Sequence, residues 1–253
     1  DVERSRGLGD VYKRQVYNQA DIQSRLKTKW VAHPLQFFDS IDSTNIRAKL
    51  EAEQGAKSGL LVVSDMQSAG RGRRGRSWES PAGTNIYYTL MLKPDFSSDC
   101  APMLTLVMAL AVAKGIRQTL RRDSEEAAAK VGIKWPNDIV VDGKKVCGIL
   151  TEMSMEQGYI QHIVIGVGIN VRKQEFPEEI RDRAAAIDEQ CGFRISRSQL
   201  IADIMEAFEE DYEIFLQTHD LKGLRVSYAE LLVNQDRDCL LYTSPSPRDL
   251  STS

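Results

Sequence analysis

Cysteine and histidine are scarce in this chain. Its 253 residues hold 4 cysteines and 3 histidines. Cys100, Cys147, Cys191 and Cys239 are far apart in sequence and no CxxC pair occurs. That excludes a zinc knuckle or a disulfide scaffold and predicts reduced thiols in a cytoplasmic protein. His33, His162 and His219 stand without a cysteine or histidine neighbour, so none is read as a metal ligand or a base. Long apolar runs are missing too. The longest, Met103 to Ala113, falls well short of the roughly 20 residues a membrane span needs and predicts a buried helix. The first residues, DVERSRGLGD, carry no hydrophobic segment of the secretory kind. Charge of one sign is lacking as well. A formal net charge of -3 argues against a protein whose whole surface binds a polyanion. What is present, 42% hydrophobic and 27% charged residues, is an ordinary globular composition with a sizeable core.

Against that mild background one stretch stands out. Gly70-Arg71-Gly72-Arg73-Arg74-Gly75-Arg76 alternates arginine with glycine inside Ser64 to Asn85. Glycine lets the backbone lie close against a ligand, and arginine presents a fixed fork of donors to carboxylate or phosphate. Like charges packed so densely repel, which predicts a loop that moves until an anion neutralises it. A lid over a phosphorylated intermediate fits this pattern. A solvated basic turn or a nucleic-acid patch fits it too.

Hydrophobic periodicity places this loop in a mixed α+β chain. Helices are predicted at Gln19 to Leu26, after the cap residues Asp42-Ser43-Thr44-Asn45, from Pro102 to Arg121, from Ser196 to Thr218 and from Gly223 to Val233. Strands are predicted at Gln36 to Ile41, Leu60 to Ser64, Asn85 to Lys93, Ile139 to Val141, Lys145 to Met155 and Tyr159 to Asn170. Asp142-Gly143 and Gln157-Gly158 join the last three as hairpins. Asp123 to Lys130 is read as a polar connection. The long helix after Ser196 carries Leu200, Ile201, Ile204, Phe208, Tyr212, Phe215 and Leu216 on one apolar face. Several strands adjacent in sequence imply a mixed, mainly antiparallel sheet with helices packed on it.

Four polar pieces sit at the ends of these elements. They are Ser43-Thr44-Asn45; Gln67 with the arginine loop, Trp78 and Pro81; Lys134-Trp135-Pro136-Asn137-Asp138 with Lys145 and Gly148; and Gly166-Val167-Gly168-Ile169-Asn170. Each alone is weak: the first reads as a helix cap and the last as a strand needing room. In this order and spacing they resemble the biotin–protein ligase family, over about residues 22–233. The resemblance implies the catalytic fold that family shares with class II aminoacyl-tRNA synthetases. It implies ATP, Mg2+ and biotin as substrates, biotinyl-AMP as intermediate, and transfer to a lysine of a biotin carboxyl carrier protein domain of acetyl-CoA or pyruvate carboxylase.

The resemblance also assigns roles. Ser43, Thr44 and Gln67 are expected on the ureido ring of biotin, with Asn45 holding the turn. Arg71, Gly72 and Arg73 are expected around the biotin tail and the adenylate phosphate, Trp78 over the ligand, and Lys145 between the biotin carboxylate and the α-phosphate. Asn170 is expected on adenine, and Lys134 and Asn137 on triphosphate or magnesium. Arg73, Lys145 and Asp138 are the candidate catalytic residues. Asp138 either deprotonates or holds the incoming lysine amine, or is a turn residue before its strand. No dedicated metal site is expected.

The tails depart from the family pattern. Residues 1–15 are expected to be a disordered leader and 239–253 a disordered tail, both foreign to the evolved protein. The catalytic domain is assigned to 16–238. The tail stands where the family continues into an SH3-like barrel, and too little chain precedes Asp42 for a helix-turn-helix module. No DNA and no membrane are therefore expected as partners, and a homodimer through the sheet edge stays open. A lipoate ligase-like acyl-adenylating enzyme and a non-enzymatic nucleic-acid module are the competing readings. The second is disfavoured because Trp78 is the one aromatic near the arginines.

Overall fold

The structure, a computed structural model, describes residues 17–233. The expected leader at 1–15 and tail at 239–253, with Cys239, lie outside the described residues. In chain order the elements are α1 (Gln19–Gln23), β1 (Leu35–Phe38), α2 (Thr44–Glu53), β2 (Leu61–Ser64), β3 (Ile86–Leu92), α3 (Met103–Arg121), α4 (Glu125–Ala129), β4 (Val131–Lys134), β5 (Asp138–Val141), β6 (Lys144–Glu156), β7 (Tyr159–Ile169), α5 (Ile187–Cys191), α6 (Arg197–Thr218) and α7 (Arg225–Leu231).

Among the described residues the strands form one sheet in the order β1-β2-β3-β7-β6-β5-β4. Only β1 and β2 run parallel; the other neighbours are antiparallel. This is the mixed, mainly antiparallel sheet expected from the sequence. Its two hairpins turn on residues with positive φ. Asp142 and Gly143 have φ 51° and 76°, and Gln157 and Gly158 have φ 51° and 88°. Two left-handed residues in succession give the turn a twist that matches the flanking strands.

Strand alternation divides the molecule. Ile163, Ile165, Val167 and Ile169 of β7 enter the main core with α3 and α6. Val164 enters a smaller cluster with Ala48 and Ala52 of α2 and with Val62 and Met91. Gly166 and Gly168 share the pleat parity of Val164 and so belong to this second face. On the core side α3 and α6 approach closely at Gly115, where a Cβ would lie 2.5 Å from the side chain and 2.8 Å from the backbone of Ile204. The helix expected to be buried from Met103 to Ala113 is that helix; its length and apolarity pass for a membrane span, but its side chains pack into the core.

Several boundaries differ from the sequence reading. The polar connection at 123–130 contains α4, begun where Ser124 Oγ accepts a hydrogen bond from Ala127 N. Strand β4 has no clear signature, because four residues with a glycine carry little periodic signal; pairing with β5 makes it a strand. Helix α5 is likewise absent from the sequence reading. Leu216, placed on the apolar face of α6, is 39% exposed while Phe215 beside it is fully buried, because one residue is about 100° of helix and turns Leu216 off the buried stripe.

Candidate active site

The open face of the sheet collects the polar pieces. Ser43 stands at the N-terminus of α2 in extended conformation, φ -157°, and its hydroxyl makes no capping hydrogen bond. It is nevertheless buried. The next residue, Thr44, donates from its backbone N to Gln67 Oε1 at 2.9 Å, and its hydroxyl lies 3.1 Å from the same oxygen. Gln67 Nε2 in turn donates to Ser80 Oγ at 3.0 Å, and Ser80 donates to the Trp78 carbonyl at 2.9 Å. One amide therefore joins the helix start to both ends of the arginine loop.

Asn45 is more than a turn residue. Its Nδ2 donates to Glu152 Oε2 at 2.7 Å, and its Oδ1 accepts from Thr89 Oγ1 at 2.6 Å. Thr89 Oγ1 also lies 2.9 Å from Thr44 Oγ1. Gly166 makes room for this amide: a Cβ there would sit 2.1 Å from Asn45 Oδ1. The second oxygen of Glu152 accepts from Lys49 Nζ at 2.7 Å. Burial pushes the Glu152 carboxyl up, but the hydrogen bonds from Lys49 and Asn45 and the charges of Lys49 and Arg71 outweigh it and hold it below the ordinary range.

The arginine loop folds back on itself. Arg71 pairs with Ser77 as an isolated bridge, and Gly72 N donates to Arg76 O at 2.7 Å. The left-handed positions are Arg74 and Gly75, with φ 58° and 73°, rather than Gly72. Arg73 reaches across to the turn between β4 and β5, where its Nη1 donates to Asn137 Oδ1 at 2.7 Å. Asn137 is fixed by donating Nδ2 to Ile149 O at 3.1 Å. Trp78 lies over a cross-strand glycine pair, Gly148 of β6 opposite Gly168 of β7. A Cβ would fall 2.9 Å from its ring at Gly148 and 2.4 Å from its Nε1 at Gly168. The room those glycines leave is thus filled by an aromatic ring. That Nε1 is buried and makes no hydrogen bond to protein.

Lys145 and Asp138 form an ion pair at 2.7 Å beside this ring, with Lys145 Nζ 5.6 Å from its centroid. Gly148 is again the neighbour; its Cβ would lie 3.4 Å from Lys145 Nζ. Asn170, at the end of β7, is buried, and its backbone joins Val146 O and Ile187 N. Lys134 is the outlier. It is exposed at the end of β4, opposite Asp138 in the ladder. Thr44 with Gln67, Arg73 with Asn137, and Lys145 with Asp138 and Trp78 are brought together by direct contact, and Ser43 joins them through its place next to Thr44 in the chain.

Sequence reading misses Thr89, Ser80 and Glu152. Thr89 and Glu152 sit at strand positions that alternation places on the open face, but only the pairing Thr89 with Gly166 and Glu152 with Val164 puts them under Asn45. A cavity of about 390 Å³ elsewhere, at α3, α6 and α7, is lined by Lys114, Arg117, Glu206 and Glu210 among others and mixes both charge signs.

Beside α2, the second face of the sheet carries the buried hydroxyls of Ser43 and Thr44, an arginine bonded to an amide and a lysine paired with a carboxylate, a set of groups able to receive a polar head and an anion. The Biotin/lipoate A/B protein ligase family matches residues 37–170, and the chain belongs to that family. It is 37% identical over 231 residues to the bifunctional ligase/repressor BirA of Bacillus subtilis, covering 89% of this chain and 69% of that protein. It is 40% identical over 130 residues to the biotin–[acetyl-CoA-carboxylase] ligase of Paracoccus denitrificans, 51% of each. Among solved structures, the biotin protein ligase of Aquifex aeolicus in complex with biotin and ATP superposes with a TM-score of 0.65 at 29% identity, covering 79% of this chain and 78% of that one.

Proposed function

We propose that this chain is an ATP-dependent biotin–protein ligase. It joins biotin and ATP to biotinyl-AMP and pyrophosphate, then passes the biotinyl group to a lysine amine of a carrier domain. The observation that carries the reading is the placement of Thr44 and Gln67 in one hydrogen-bond network on the same sheet face as Arg73 with Asn137 and Lys145 with Asp138. A ureido ring needs acceptors for its two N–H groups and donors for its carbonyl, which buried hydroxyls and an amide supply. The carboxylate is itself the nucleophile on the α-phosphate, so positioning and charge stabilisation are the protein's tasks.

In this reading Ser43, Thr44 and Gln67 hold the ureido ring. Arg71, Gly72 and Arg73 surround the tail and the phosphate, and Trp78 covers the ligand. Lys145 follows the carboxylate oxygen as the anhydride forms. Asn170 meets adenine, and Lys134 and Asn137 face the triphosphate. Magnesium arrives with ATP; among the described residues no group of three or more His, Cys, Asp and Glu side chains is placed to hold a metal. The name of the Paracoccus denitrificans relative supports acetyl-CoA carboxylase as the source of the carrier domain.

Titration calorimetry of the full chain with biotin, lipoate and an oligonucleotide tests this reading. Biotin should bind, and more tightly with ATP and magnesium present; a preference for lipoate or for the oligonucleotide overturns it. A transfer assay on a carrier domain then tests the second step.

A further inference from the structure

We infer that Ser80 is a positioning residue: it ties Gln67, on the head of the substrate, to the arm of the arginine loop that carries Trp78, so that a seated head steadies that arm over the adenylate. The inference rests on the biotin-ligase reading and deepens it. Of residues 65–84, which join β2 to β3, Ser80 alone is buried. The direction of its two side-chain bonds is fixed at both ends. Thr44 N–H can only donate, so the Gln67 atom facing it at 2.9 Å is the carbonyl oxygen. The Gln67 NH2 is thereby turned to Ser80 Oγ, to which it donates at 3.0 Å. On the other side the Trp78 carbonyl, at 2.9 Å, can only accept, so it takes the one Ser80 proton.

Gly70 leaves room for this junction. A Cβ there would fall 2.6 Å from Ser80 Oγ, 3.2 Å from Gln67 Nε2 and 2.3 Å from the Trp78 carbonyl oxygen. The neck of the loop is also held by backbone bonds, Gln67 N to Ser80 O at 3.2 Å and Trp78 N to Gly70 O at 2.9 Å. Neither needs the Ser80 hydroxyl. Ser80→Ala therefore adds no volume, keeps the neck and cuts only the link from the Gln67 amide to the Trp78 arm. Thr44 N still orients Gln67, so the hold on the head is largely kept. What is lost is the dependence of the arm on the head.

Biotin affinity should be measured by calorimetry on the full chain, alone and with magnesium and an ATP analogue carrying a methylene group between the α- and β-phosphorus atoms. Release of biotinyl-AMP is followed by stopped flow, with thermal unfolding of each variant alongside. Ser80→Ala is expected to weaken biotin alone by no more than about threefold. The gain in biotin affinity that the analogue brings should shrink, and biotinyl-AMP should leave faster, each by about tenfold, the scale of one net hydrogen bond. Ser80→Cys keeps a weak donor and acceptor, so it should fall between wild type and Ser80→Ala, and it carries the test if Ser80→Ala does not fold. Gln67→Ala should quicken release as well, and adding Ser80→Ala to it should change the rate by less than about twofold, whereas two independent packing losses would add. Equal weakening of biotin with and without the analogue, wild-type release from Ser80→Ala, additive losses, or a wild-type chain in which the analogue brings no gain overturns the inference and leaves biotin binding standing. A wild-type chain that takes up no biotin sinks the ligase reading itself.

Discussion

At the residue scale, two contacts decide what single side chains do. The sequence offers Asp138 as a base for the incoming lysine, as a holder of that amine, or as a turn residue; its ion pair with Lys145 at 2.7 Å fits a further reading, that of anchor. An anchor serves both half-reactions, whereas a base serves only the second. Asp138→Asn is therefore expected to slow pyrophosphate exchange and carrier biotinylation by similar factors, on the order of tenfold each. Loss confined to transfer would return Asp138 to the role of base. The glycines give a second contrast. In Gly168→Ala the new Cβ meets Trp78 Nε1, and a ring on a loop can swing away. The fold should survive, tryptophan fluorescence should change, and ligand affinity should fall. In Gly166→Ala the new Cβ meets the Asn45 amide, which is buried and bonded on both sides. That variant should lose about 1–3 kcal/mol of stability, read from urea unfolding, as well as biotin binding.

At the element scale, the close crossing of α3 and α6 supports the sheet from behind. An alanine in mid-helix is ordinarily better than glycine by about 1 kcal/mol. At Gly115 the clash with the Ile204 backbone, 2.8 Å from a built Cβ, should reverse that sign. Gly115→Ala is expected to lower stability by about 1–3 kcal/mol in chemical denaturation. A stabilised variant would mean the two helices part at no cost. Helix α6 and both hairpins were legible in the sequence because cap residues, 3.6-residue periodicity and Asp-Gly or Gln-Gly pairs are local signals. Helix α4 and strand β4 were not, because in elements of four or five residues long-range pairing outweighs local preference.

At the scale of the whole molecule, buried carboxylates tie distant segments together. Glu209 on α6 accepts hydrogen bonds from the backbone N–H groups of Lys29, Trp30 and Val31, all within 3.0 Å. Burial alone would raise its pKa, but these donors outweigh burial and hold it below the ordinary 4.5. A carboxyl depressed in the folded state contributes stability that is fully present above its unfolded pKa and lost as pH falls through the folded value. Glu152 and Asp21 act in the same sense, while Asp211, raised by burial, opposes them. Stability should therefore fall as pH drops from about 5 to about 3, and Glu209→Gln should flatten that fall. At neutral pH the variant should be weaker by about 1–2 kcal/mol. Urea midpoints across that range check both, and an unchanged slope in the variant would remove Glu209 from the account.

The sequence by itself determined the sheet class, the start of α2, the arginine loop and the Lys-Trp-Pro-Asn-Asp turn, because each is written in contiguous residues whose backbone needs are local. The order of its motifs carried the resemblance from which Ser43, Thr44, Gln67, Arg73 and Lys145 are proposed as site residues. Only the tertiary structure decided that Trp78 fills the Gly148 and Gly168 slot, that Asp138 holds Lys145, and that Glu152 lies behind Asn45 and Thr89. Those contacts depend on strand register and on which face a pleat presents. A shift of one residue would turn Glu152, Thr89 and both β7 glycines to the opposite side, and no local signal in the chain reports that choice.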